Sequence, residues 1–175
     1  MSELKRKSVA EFKQSEKIPV VVVLDDVRSM NNVGSVFRTA DSFLVTEIYL
    51  CGYTPAPPHR DIQKTALGAT ETVAWTHCST TQQAIDQLKQ QGYRIYSVEQ
   101  VHGSIMLNEF RIEADVKYAL IFGNEVNGVC NDIIAQSDGV IEIPQLGSKH
   151  SLNISVSAGI VLWEISKKYL PASMI

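Results

Sequence analysis

The sequence predicts an α/β fold: a mostly parallel, doubly wound sheet with helices on both faces. Three observations lead there. The runs IPVVVVL (18–24) and YALIF (118–122) are apolar without polar alternation, the pattern of strands covered on both faces. Segments with apolar residues at helical spacing lie between such runs. About six strands alternate with helices in this way, which parallel strands joined by helical crossovers require.

Residues 1–17 are charged throughout and read as a helix or an arm. The first strand runs from Ile18 toward Asp25 and Asp26. In 28–45, Val33, Val36, Phe37, Ala40 and Leu44 recur at helical spacing, with Asn31 or Asn32 able to cap the helix. Short strands are expected at Glu47–Cys51 and about Thr72–Trp75, separated by a long Pro- and Thr-rich loop, 53–70. Thr80 and Thr81 can cap a helix that turns Ala84, Ile85 and Leu88 inward, until Gly92 stops it before the strand YRIYSV (93–98). A polar loop (99–116) leads to YALIF, then GNEVNGV (123–129), a helical turn near Asp132–Ala135 and the strand GVIEI, which Pro144 ends. The last helix follows Asn153.

With 175 residues, 45% hydrophobic and 20% charged, the chain is expected to form one domain spanning 1–175. No apolar run approaches the roughly 18 residues of a membrane span, and the N-terminus is not signal-like, so a cytoplasmic protein is expected. Cys51, Cys78 and Cys130 lie far apart without zinc-type spacing, which points to neither disulfides nor a metal. A net charge of −3 means that any nucleic-acid contact is local rather than global. Candidate cations are Lys5, Arg6, Lys7, Arg28, Arg38, Arg60, Lys64, Lys149, Lys167 and Lys168; the plain alternative for each is a solvated surface charge.

Three strand-to-loop junctions concentrate polar residues that an apolar core does not need. At the first, Arg38 follows Gly34 by four residues, so its side chain can reach back over bare backbone near a helix N-terminus as a phosphate site; the alternative is a surface pair with Asp41. At the second, Gly123 admits close backbone approach, Asn127-Gly128 signals a turn, and Glu125 is offered where it could orient Arg38 or a substrate hydroxyl. The third places Ser151 and Asn153 at the mouth of the last helix, after the loop GSKH (147–150). Dinucleotide and P-loop glycine motifs and a serine-hydrolase elbow are missing, and the four histidines are isolated in sequence.

Together the junctions resemble the three motifs of the SpoU (TrmH-type) RNA ribose 2′-O-methyltransferases, a branch of the SPOUT class. NNVGSVFRTAD (31–41) is similar to the first motif, IFGNEVNGV (121–129) to the second and IPQLGSKHSLNISVSAGIVLWE (143–164) to the third. The resemblance implies a trefoil knot within about 118–170, binding of S-adenosylmethionine there and a homodimer through the knot and last helix. It assigns catalysis to Asn32, Arg38, Glu125, Ser151 and Asn153, and cofactor contacts to Ser97, Val98, Glu99, Gly123, Ile143, Gln145, Leu146, Ser151 and Leu152. RNA would meet Arg28, Arg38, Arg60, Lys64 and Lys149, tRNA being favoured over rRNA. A guanidinium stays protonated at ordinary pH, so Arg38 is expected to clamp phosphate and developing alkoxide, with Glu125, Ser151 and Asn153 fixing its geometry.

The last helix supports self-association on its own terms, because Ile154, Val156, Ile160, Val161, Leu162, Trp163 and Ile165 leave little polar face. Burial within one chain is the alternative. The chain reads as a minimal version without a separate N-terminal RNA-binding domain. An RNA-binding member of the fold that has lost catalysis is the competing reading, and presence of all five catalytic residue types speaks against it.

Overall fold

The computed structural model describes residues 7–149 and 151–170, so Lys5, Arg6 and His150 lie outside the described residues. Among these described residues seven strands, β1 (Ile18–Asp25), β2 (Val45–Cys51), β3 (Ala74–Cys78), β4 (Tyr93–Val98), β5 (Ile105–Met106), β6 (Lys117–Phe122) and β7 (Gly139–Glu142), form one sheet. Their order is β3-β2-β1-β6-β4-β7-β5, and each neighbouring pair is parallel. The helices are α1 (Val9–Gln14), α2 (Met30–Ser42), α3 (Arg60–Ala66), α4 (Ala69–Thr72), α5 (Thr81–Gln90), α6 (Asn131–Ile134) and α7 (Ile154–Ser166).

The valine run of β1 explains the two-sided architecture. Val20, Val22 and Leu24 face one core with residues of α2, α3 and α7, while Val21 and Val23 face the other with Ala84, Ile85 and Leu88 of α5 and Ile133 of α6. Side chains alternate along a strand, so a strand covered on both faces must be apolar at every position. Each such fully buried valine contributes roughly 1.5–3 kcal/mol.

Several expectations are corrected. The stretch 53–70 is not a plain loop: His59 caps α3, and α4 follows almost at once. β3 begins at Ala74, later than Thr72, because Thr72 still belongs to α4. The two-residue β5 lies inside the expected polar loop 99–116, paired with β7. Ser29, rather than Asn31 or Asn32, caps α2, its Oγ accepting from the Asn32 N–H at 3.3 Å. Gly34 does not offer bare backbone to Arg38. It is buried against α3, where an added Cβ would lie 2.1 Å from Thr65 Oγ1 and 2.2 Å from the Ile62 carbonyl.

The topology positions the site. The chain leaves β1 toward β2 and β3 on one side, and β6, β4, β7 and β5 occupy the other, so the loops after β1 and β6 diverge at a switch point. Leu24 pairs with Phe122, which sets residues 25–29 beside 123–125. Val98 pairs with both Phe122 and Ile141, which sets the loops after β4, β6 and β7 together.

Candidate functional site

A tight loop follows β6. The Asn124 side chain accepts from the N–H groups of Val126 and Asn127 at 2.9 and 2.8 Å, and its carbonyl accepts from Gly128 at 3.0 Å. An Asx turn of this kind doubles the chain back on itself. Gly123 is required by that fold-back, since a Cβ there would lie 2.0 Å from the Gly128 carbonyl carbon. The loop offers the Glu125 carboxylate to the start of α2. One oxygen accepts from the Arg28 N–H at 3.2 Å; the other accepts from the Ser29 N–H at 3.2 Å and from Asn32 Nδ2 at 2.8 Å.

The relay continues across the third junction. Asn32 Oδ1 accepts from Asn153 Nδ2 at 3.1 Å, and Asn153 Oδ1 accepts from the N–H and Oγ of Ser155 at 2.9 and 2.7 Å, capping α7. Both amide orientations follow from chemistry, because a carboxylate only accepts and a backbone N–H only donates. Burial pushes the Glu125 carboxyl upward, but hydrogen bonds from Asn32 and from the backbone of Glu125, Arg28 and Ser29 outweigh it and hold the group below its ordinary value. The carboxylate is therefore ionised at neutral pH.

Beside the relay lies a cavity of about 460 Å³. Val98, Phe122, Ile143, Leu152 and Ile154 supply apolar wall, and Glu99, Glu125, Gln145, Ser151, Asn153 and Ser157 supply polar groups. Glu99 also braces the wall, accepting from the Val129 N–H at 3.1 Å. Gly128, at φ +67°, leaves room for that carboxylate.

Of the expected cofactor contacts, Val98, Glu99, Gly123, Ile143, Gln145, Ser151 and Leu152 line this cavity. Ser97 does not: it is fully buried and its hydroxyl pairs with Ser137 at 2.8 Å. Leu146 is fully exposed and outside the wall. Arg38 is exposed on α2 outside the wall, and Glu125 orients Asn32 instead of Arg38. Asp41 accepts from Thr72, not from Arg38. Arg28, Arg60, Lys64 and Lys149 are exposed. Phe122, Ile154 and Ser157 were not among the expected cofactor contacts; Ser157, one turn beyond Asn153, could have been found from helical spacing.

The description of the SpoU rRNA methylase family matches residues 19–163. The chain belongs to the SpoU family. A Borreliella burgdorferi protein named "uncharacterized tRNA/rRNA methyltransferase" is 33% identical over 157 residues, covering 90% of this chain and 67% of its own length. An AdoMet-bound rRNA methyltransferase from Sinorhizobium meliloti superimposes with a TM-score of 0.82 at 25% identity, over 95% of this chain and 62% of that one. A structure described as giving insights into the 2-OH methylation of C/U34 on tRNA has a TM-score of 0.75 at 22% identity, over 86% of this chain and 95% of that one. At that identity the likeness shows the fold alone. This SpoU chain thus spans about two thirds of the first two relatives. Among its described residues no helix is long and apolar enough to cross a membrane, and no cluster of three or more His, Cys, Asp or Glu could hold a metal ion.

Proposed function

We propose that the chain is an S-adenosylmethionine-dependent RNA methyltransferase that acts on a ribose 2′-hydroxyl, with tRNA as the favoured substrate and rRNA as the runner-up. The observation that carries it is the Glu125–Asn32–Asn153 relay at the mouth of the cavity, which joins all three family motifs. The cavity fits the cofactor in chemistry and size: apolar wall for an adenine ring, with carboxylate, amide and hydroxyl groups for hydroxyls and a zwitterionic end. When bound, S-adenosylmethionine supplies an electrophilic methyl group on sulfonium. Val98, Glu99, Gly123, Ile143, Gln145, Ser151 and Leu152 would hold it. Asn32, fixed at both ends of its amide, would position the substrate ribose, and such positioning is the larger part of an in-line transfer. Arg38 would clamp RNA phosphate or the developing alkoxide, because a guanidinium does not take up the hydroxyl proton.

The same proposal includes a single domain over 1–175, a knot within about 118–170, and a homodimer. Val156, Ile160 and Trp163 of α7 are 49%, 37% and 48% exposed and recur at i, i+4 and i+7, which supports a second copy on that face. A stable monomer in sedimentation would remove the dimer.

The test of function is incubation with labelled S-adenosylmethionine and separate tRNA and rRNA fractions lacking their own methylation, followed by mapping of the labelled nucleotide. Label on a ribose 2′ oxygen of tRNA is expected. Label on a base, or on neither RNA, would overturn the reading.

A further inference from the structure

Tyr53 combines a pinned backbone with a free ring. It follows β2, and its N–H donates to Asp26 Oδ1 at 2.8 Å. Gly52 before it has φ +59°, and an added Cβ would lie 2.1 Å from the same oxygen. Thr54 after it is 2% exposed; its Oγ1 accepts from the Val27 N–H and donates to the Leu24 carbonyl, each at 3.0 Å. Between these anchors the tyrosine is 82% exposed.

Single exposed apolar residues are common and need no explanation. What sets Tyr53 apart is the segment that holds it. Residues 24–27 carry its anchors, and Arg28 and Ser29, next in the chain, donate their N–H groups to Glu125. One short segment, 24–29, therefore anchors both the turn that carries the ring and the Glu125 end of the relay, and the exposed Arg28 lies on that segment. On the other side the chain enters α3, which bears exposed Arg60 and Lys64 and is tied to α2 by a 3.0 Å bond from Thr65 Oγ1 to the Asn31 carbonyl. Aromatic rings held among cations stack on bases that a single-stranded or splayed RNA offers.

We infer that Tyr53 is a stacking platform for a base next to the methylated nucleotide, with Arg28 taking an adjoining phosphate. The inference rests on the RNA-methyltransferase reading and adds the substrate contact that seats the strand. The test measures the affinity of wild type, Tyr53→Phe and Tyr53→Ala for bulk tRNA and for single-stranded oligoribonucleotides carrying 2-aminopurine. Tyr53→Ala should bind about 5- to 150-fold more weakly and lose 2-aminopurine quenching, while Tyr53→Phe stays within about twofold. S-adenosylmethionine affinity should be equal in all three. Equal RNA affinity of wild type and Tyr53→Ala overturns the inference, as does a change in sedimentation that makes the ring a subunit contact. If wild type itself binds neither RNA, the functional reading fails first and the platform with it.

Discussion

Asn32 Nδ2 lies 2.8 Å from the Glu125 carboxylate, although 93 positions separate the two residues in the chain. The parallel pairing of β1 with β6 makes this contact, since it ends with Leu24 opposite Phe122 and delivers both loops to one edge. Glu125→Gln keeps the size but turns one acceptor oxygen into a donor facing other donors. Misplacing a positioning group by about 1 Å can cost roughly 100-fold in rate. The variant should lose methyl transfer by about that factor with S-adenosylmethionine affinity little changed, as single-turnover kinetics and calorimetry would measure.

Two carboxyls give stability opposite dependences on pH. Glu125 is held below its ordinary 4.5, so the unfolded chain binds its proton more readily. That contribution is present above the unfolded value and is lost as pH falls through the folded one. Asp25 is the reverse. Burial raises its carboxyl above the ordinary 3.8, despite hydrogen bonds from Thr81 and the Cys130 N–H, so its contribution falls as pH rises from the unfolded value through the folded one. Denaturant titrations across acid pH should show Glu125→Gln removing a rising limb and Asp25→Asn a falling one.

The strands were legible because every position of 20–24 is apolar, and the cap of α5 because Thr80 stands three residues before the Gln83 N–H that it accepts from. The relay was not. Asn32, Glu125 and Asn153 could be listed as one family's polar residues, but which amide faces which carboxylate depends on strand order, which no local pattern encodes. The expectation for Gly34 failed for the same reason. Helical spacing places Arg38 over it, and only the packing of α3 shows that the space is already taken.

Gly34→Ala is the sharpest test of that packing. The added methyl meets the Ile62 carbonyl, which belongs to helix backbone and cannot rotate away. Separating α2 from α3 should cost about 1–3 kcal/mol and lower Tm by several degrees. It should also loosen the Thr65 bond to Asn31 at the first turn of α2. Chemical denaturation measures the first effect, and amide exchange in α3 the second.

Arg38 is exposed on α2 and outside the cavity wall, so its proposed clamp acts on RNA rather than on cofactor. Arg38→Ala should therefore abolish methyl transfer while S-adenosylmethionine binding stays within about twofold of wild type. Arg38→Lys restores charge without the planar fork and should recover only part of the activity. Full activity in Arg38→Ala would remove the clamp.

Asn153 has two tasks that a pair of substitutions separates. Its oxygen caps α7 through Ser155, and its Nδ2 holds Asn32. Asn153→Ala removes both, at about 1 kcal/mol for the lost cap. Asn153→Asp keeps an oxygen for the cap, at which Asp and Asn are nearly equivalent, and puts a negative charge at a favourable helix end. It replaces the donor with a second acceptor facing Asn32 Oδ1, so Asn32 must turn and give up its bond to Glu125. Asn153→Asp should accordingly unfold at or near the wild-type midpoint yet be as inactive as Asn153→Ala. Thermal unfolding beside single-turnover methylation reads the two effects independently. An active Asn153→Asp would mean that Asn153 serves only as a helix cap.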